Sequence, residues 1–196
     1  LDHAFAEAPP EDIAETHALL VVQNGKLVTE RYWKDHGPDQ TFKSWSMAKS
    51  ITHALIGILV REGMIDIHAP ADVPEWKQPG DPRGSITLDQ LLRMSSGLKF
   101  VEDYVDGDAS DVIEMLQGSG KPDTAGFAAS FALEHEPGSF WSYSSGTTNI
   151  VARIAKRALD TDQAGFEAFM REELFEPIGR TSPNPWFDDA GTFFGS

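Results

Sequence analysis

A mixed α/β chain of the α+β kind, one hairpin followed by a mostly helical region, is what this sequence predicts. Three features predict it. An apolar run and an alternating run flank Asn24-Gly25 near the start, a long apolar helical pattern runs from Ser44 to Gly63, and short helical patterns separated by turn residues fill the rest. With 196 residues, 40% of them hydrophobic, the chain can build one core.

Composition narrows the function classes. There are no cysteines, which excludes disulfides, thiolate metal sites and a cysteine nucleophile. Acids outnumber bases 31 to 16, for a formal charge of −15, and this argues against nucleic acid and anionic membrane as partners. No window approaches the ~20 apolar residues of a membrane span. The chain opens on Leu1 rather than Met, so the sequence leaves a cytoplasmic and a periplasmic location equally open.

Each element has a local reason. Residues 1–16 carry Pro9-Pro10 and read as a short helical or irregular lead-in. Ala18 to Gln23 and Lys26 to Trp33 read as strands joined at Asn24-Gly25, the strongest short hairpin signal. Residues 34–43 are a loop. Ser44 reads as the N-cap of a helix whose main apolar face is Met47, Ile51, Ala54, Leu55, Ile58 and Leu59. Ile56 and Val60 extend that face, which predicts burial on most sides. Gly57 marks an expected close contact and Gly63 a C-cap.

Met64 to Ile67 reads as a short extended piece, and Pro70 to Gly84 as a surface excursion. Thr87-Leu88-Asp89-Gln90 fits a capping box, with Thr87 at N-cap and Gln90 at N3. Its helix ends near Ser95-Ser96-Gly97, and residues 100–108 form an acidic loop. Helices follow at Ser110 to Gln117, Ala125 to Glu134, Thr148 to Leu159 and Gln163 to Phe175, the last closed by Pro177 and Gly179.

Within this frame two residues suggest nucleophilic chemistry. Ser46 and Lys49 stand at i and i+3, on one helix face, where an amine can activate a hydroxyl without histidine. Burial favours the neutral amine that a general base needs. A helix N-terminus offers free N–H groups where an oxyanion forms. The spacing alone proves little: 15 serines and 8 lysines in 196 residues give about 0.6 chance matches. The chain holds two, Ser46-x-x-Lys49 and Ser96-x-x-Lys99, but Ser96 lies past a helix end, where no shared face exists. A surface N-cap with a solvated lysine explains Ser46 and Lys49 equally well on spacing. Tyr143, just before a helix, offers a phenol that can relay a proton; an ordinary amphipathic tyrosine is the alternative.

Taken together these residues resemble the serine β-lactamases and penicillin-binding proteins. Ser46-Met47-Ala48-Lys49 resembles their Ser-x-x-Lys motif, and Tyr143-Ser144-Ser145 stands where the class C branch has Tyr-x-Asn. Ile86 to Leu98 is similar to that branch's "TLxxLLxHTSGL" segment, and Leu174 to Gly179 to its "LFxPLGM" segment. The four lie in the family's order across residues 18–182. Within the family the chain looks closest to the esterase and 6-aminohexanoate-dimer (nylon oligomer) hydrolase group, which also has a small residue in place of the asparagine, here Ser145. That group has a Glu-Asp-Tyr-Val-Asp stretch, matched by Glu102 to Asp106.

The resemblance implies a β-lactamase-like fold, an antiparallel sheet with flanking helices plus an all-helical region. It implies Ser46 as nucleophile, Lys49 as base partner, Tyr143 as proton relay, and Tyr104 and Ser145 as substrate contacts. Trp45 and Trp141 would wall the pocket, with core packing as the alternative. No cofactor and no metal are expected. A third motif, Lys-Thr-Gly-like or His-x-Gly-like, does not follow Tyr143. Residues 1–196 are therefore expected to be the N-terminal portion of one catalytic domain: the first sheet hairpin at 18–33, the nucleophile helix at 44–63 and a mostly helical region at 64–182. The later strands and the second oxyanion donor are expected in the remainder of the protein, carried in a separate chain. The implied activity is serine hydrolysis of a carboxylic ester or amide. A β-lactamase or D,D-peptidase, and a non-catalytic binding protein on the same fold, stand as the alternatives.

Overall fold

A computed structural model describes residues 2, 4–6, 15–105 and 110–195; most of the predicted lead-in and Asp106 to Asp108 of the acidic loop lie outside the described residues. The chain divides into two compact units, Leu1–Lys43 and Ser44–Ser196.

The first unit is built on a hairpin, β1 (Ala18–Gln23) and β2 (Lys26–Tyr32), paired antiparallel. Asn24 and Gly25 both take positive φ, 52° and 73°, the combination a type I′ turn demands. A register shift at Val21/Val22 leaves Val28 as the extra residue of a bulge. Leu20, Val22, Leu27 and Val28 are each at least half exposed, so this sheet of two strands buries little of its own apolar surface. Beside it, His17, His36 and Phe42 pack ring to ring.

The second unit is helical. Its first long helix, α1, runs Ala48–Arg61 and is led in by a 3-10 turn at Trp45–Met47. The expected Ser44 cap is not made. Ser44 has helical backbone angles (φ −79°, ψ −23°), whereas a capping side chain needs extended ones to reach back over the first N–H groups. The buried face of α1 is Ala48, Lys49, Thr52, Leu55, Ile56, Ile58 and Leu59. Met47 and Val60 are exposed, as is the stripe Ser50, His53 and Gly57, so the helix is covered on one side rather than most. Nothing approaches Gly57 closely, contrary to the expected packing contact. At the C-terminus Gly63 (φ 72°) closes a Schellman motif, Gly63 N–H to Val60 O (3.0 Å) and Met64 N–H to Leu59 O (2.9 Å).

Residues 70–84 run mostly on the surface, as expected, but two of them turn into the core. Two 3-10 turns, Pro74–Trp76 and Pro82–Ser85, fold the segment inward, burying Val73 and Trp76, and the Trp76 indole donates to Ala129 O (2.9 Å). The short helix α2 (Leu88–Leu92) starts at the predicted capping box: Thr87 Oγ1 accepts from Gln90 N–H (3.2 Å), and Gln90 Oε1 from Thr87 N–H (2.9 Å). Two further helices follow, α3 (Asp111–Gln117) and α4 (Thr124–Ala129). The latter stops five residues before the expected Glu134, because Leu133 leaves the helix to pair with Leu98. The second long helix, α5 (Ser145–Ala158), starts three residues earlier than expected, at an extended N-cap, Ser144. The last, α6 (Gln163–Met170), continues as a π-type turn through Phe175, matching the predicted Gln163 to Phe175.

The core gathers side chains from all six helices, with Leu55, Leu59, Trp76, Leu91, Met115 and Ile150 among its most buried. The buried Asp188 ties the closing segment to α4, accepting from Thr124 N–H (2.9 Å), Thr124 Oγ1 (2.8 Å) and Thr192 N–H (2.7 Å). The long helices α1 and α5 pack on one another, which brings their N-terminal ends into reach.

Candidate active site

The turn before α1 sets the first residue of the site. Trp45 has a left-handed backbone (φ 47°), which costs a bulky side chain on the order of 1–2 kcal/mol and is held only where the surroundings demand it. Immediately after this kink Ser46 stands exposed, and one turn on Lys49 is only 8% exposed. Lys49 Nζ lies 2.9 Å from Ser46 Oγ, so the helix register makes the pair that the spacing suggested.

A second segment comes in from α5. Residues 134–142 run beside 94–97: Glu134 N–H donates to Gly97 O (2.9 Å), Gly138 N–H to Ser95 O (2.7 Å) and Ser142 N–H to Met94 O (2.9 Å). Gly97 (φ 78°) permits this, because a Cβ there would stand 2.2 Å from the His135 carbonyl oxygen. The strap delivers Tyr143 and Ser145. Lys49 Nζ sits over the face of the Tyr143 ring, 4.8 Å from its centroid. Lys49 Nζ also donates to Ser145 Oγ (3.0 Å), a residue 1% exposed at the first turn of α5.

Sequence reasoning passed over Glu102. Its carboxylate takes the Ser145 backbone N–H (2.7 Å) and the Ser145 hydroxyl (2.5 Å), and it accepts the Tyr104 hydroxyl (2.5 Å). The partnership spans 43 residues, so no local pattern announces it; the signal available was its place two residues before Tyr104. Burial, and then the bond to Glu102, push the Tyr104 phenol up to about 12, so it stays protonated and able to donate at neutral pH.

Five side chains thus form one continuous string, Ser46–Lys49–Ser145–Glu102–Tyr104, with Tyr143 laid across the amine. Trp45 and Trp141 expose most of their rings and stand outside the core. Ser96 and Lys99, the second match to the motif, serve a turn: Ser96 Oγ accepts from Leu98 N–H (3.3 Å), and Lys99 is exposed. Among the described residues no three histidine, aspartate or glutamate side chains converge as metal ligands. Among the described residues no helix is long and apolar enough to cross a membrane.

Comparisons with known proteins give the chain its family. The family model for Beta-lactamase matches residues 4–192. A 6-aminohexanoate-dimer hydrolase of Paenarthrobacter ureafaciens is 30% identical over 152 residues, covering 72% of this chain and 38% of that protein. Among solved structures, a provisionally assigned 6-aminohexanoate-dimer hydrolase from Bacillus anthracis superposes with a TM-score of 0.70 at 23% identity, covering 92% of this chain and 49% of that one. The octameric penicillin-binding protein homologue from Pyrococcus abyssi does so with a TM-score of 0.64 at 21% identity, over 87% of this chain and 40% of that one. This chain therefore spans half or less of the length of these relatives. A family match along nearly all of the chain establishes that it belongs to the Beta-lactamase family, and its fold is shared with these solved structures.

Proposed function

We propose that this chain carries the nucleophile side of a serine hydrolase that cleaves a carboxylic ester or amide, of the esterase and 6-aminohexanoate-oligomer hydrolase kind. The observation that carries the reading is the buried Lys49 amine within hydrogen-bond distance of Ser46 Oγ. Ser46 Oγ attacks the carbonyl carbon as Lys49, with Tyr143, takes its proton. The carbonyl π bond opens to an oxyanion, then re-forms as the bond to the leaving group breaks, and the proton passes to that alcohol or amine. Water, deprotonated by the same pair, attacks the acyl-enzyme and releases the acid and Ser46. The Ser46 backbone N–H is one oxyanion donor. Tyr104 and Ser145 contact substrate, and Trp45 and Trp141 flank the pocket.

Sequence beyond residue 196, in the same or a separate chain, supplies the third motif, the second oxyanion donor and the remaining strands. Two facts support this: relatives of about twice the length or more, and a two-stranded hairpin of the kind that is marginal alone. The similar 6-aminohexanoate-dimer hydrolase, together with Ser145 where an asparagine amide would hold a β-lactam's side chain, favours ester or linear amide substrates over β-lactams. The test is labelling of the complete protein with a fluorophosphonate, followed by rates on a short p-nitrophenyl ester, a linear ω-amino amide and a cephalosporin. An adduct on Ser46, lost in Ser46→Ala, is the expected result. No adduct at Ser46 would instead favour a binding protein on the same fold, and fastest turnover of the cephalosporin a β-lactamase.

A further inference from the structure

The proposed mechanism leaves one question open at Lys49. An amine that takes a proton from Ser46 must aim its lone pair at Ser46 Oγ, and something has to hold its N–H groups elsewhere. We propose that Glu102 is the positioning residue for this, acting on Lys49 through the hydroxyl of Ser145; the inference rests on the reading of Ser46 and Lys49 given above.

The argument is one of hydrogen-bond polarity. The Ser145 backbone N–H can only donate, and it donates to one oxygen of Glu102 (2.7 Å). The other oxygen of an ionised carboxylate can only accept, so the single proton of the Ser145 hydroxyl is committed to it (2.5 Å). The lone pairs of Ser145 Oγ are then all that can face Lys49 Nζ, 3.0 Å away, and Lys49 must donate to them. In the neutral amine this holds one N–H on Ser145 and keeps the lone pair clear of the Ser145 proton, free to face Ser46 Oγ at 2.9 Å. Ser145 is 1% exposed, so no water competes to reverse the direction of the string. A simpler role is available to Glu102: it takes a free N–H at the start of the 14-residue α5, where a carboxylate is favoured on electrostatic grounds. That role alone would make Glu102 matter for stability and leave the chemistry untouched.

Glutamine separates the two. Glu102→Gln keeps shape and can still accept the Ser145 N–H through its oxygen. Its amide NH₂ then faces Ser145 Oγ and donates to it, so the Ser145 proton swings toward Lys49 and occupies the lone pair meant for Ser46. The decisive measurement is the saturation kinetics of Ser46 phosphonylation by a fluorophosphonate, in which the Oγ–P bond forms as fluoride leaves, in the complete protein. We compare wild type, Glu102→Gln, Ser145→Ala and the double variant, each checked for folding by circular dichroism and thermal melting. The expected result is a roughly 10- to 100-fold fall in the maximal phosphonylation rate of Glu102→Gln, with half-saturating concentration within about 2-fold, and a double variant no slower than Ser145→Ala. An unchanged rate in folded Glu102→Gln, or losses that multiply in the double variant, overturns the proposal. If Glu102→Gln does not fold, Ser145→Ala decides alone: it breaks the same string, and phosphonylation at the wild-type rate there overturns the proposal too. Wild type that takes no label on Ser46 overturns the reading of the nucleophile, and this one with it.

Discussion

The same four-residue pattern occurs twice in this chain and does two different things. Ser46-x-x-Lys49 straddles a 3-10 turn and the first turn of α1, and its amine is buried against its hydroxyl. Ser96-x-x-Lys99 lies beyond α2, in a turn held by Gly97, where Ser96 Oγ satisfies a backbone N–H and Lys99 points to solvent. Helical register and a packed wall behind the lysine make the difference. The residue types do not. The second copy still serves the first, because the turn around Gly97 carries the strap that leads to Tyr143 and Ser145.

Replacing each serine is the sharpest way to break the comparison. Ser46→Ala is expected to lower turnover by roughly 10³-fold or more, with the melting temperature little changed because Ser46 is exposed. Ser96→Ala is expected to hold turnover within a few-fold while costing about 1 kcal/mol of stability through its lost bond to Leu98 N–H. Ester hydrolysis and thermal melting on both variants check this; similar activity losses would mean that the two copies are not distinct in role.

Next in size is Gly97→Ala. The added methyl meets the His135 carbonyl oxygen at 2.2 Å and the residue must hold φ of 78°, so a destabilisation of roughly 2–4 kcal/mol is expected. Because the strap moves with it, labelling of Ser46 by a fluorophosphonate should slow as well, even in protein that remains folded. A denaturant titration read beside fluorophosphonate labelling would show whether stability and labelling fall together; full-rate labelling in a destabilised variant would uncouple the turn from the site.

Both copies show which parts of the molecule the sequence could reveal. The hairpin was legible because Asn24-Gly25 is chemically suited to two positive φ values, and α2 because Thr87 and Gln90 each hold a specific N–H. Ser46 and Lys49 were legible as a pair because helical spacing alone brings them together. Pro70 to Gly84 was legible as largely surface, but its proline and glycine content marks turns and says nothing of where Val73 and Trp76 point. Met47 was misassigned to the buried face because the 3-10 turn shifts it out of α1's register. Glu102 escaped notice for a further reason. Its partners arrive from the start of α5, and only tertiary packing puts a loop carboxylate there.

The smallest expected effect concerns the approach to the second copy. On α2, Asp89 pairs with Arg93 one turn later at 2.6 Å, on the surface, in contrast to the buried Lys49. The hydrogen bond from the Arg93 guanidinium holds the Asp89 carboxyl below its ordinary range near 3.9. A depressed native pKa means that the unfolded chain binds the proton first as the pH falls. The pair therefore adds stability above about pH 4 and loses it as the pH drops through the lower native value. Asp89→Asn removes that dependence while every other carboxylate remains, so the variant's melting temperature should fall less steeply than the parent's between pH 5 and pH 2. Parallel curves would show that Asp89 gains nothing from Arg93 in the folded state. The contrast would then be complete: a solvated pair that tunes nothing, against a buried lysine whose every neighbour is fixed.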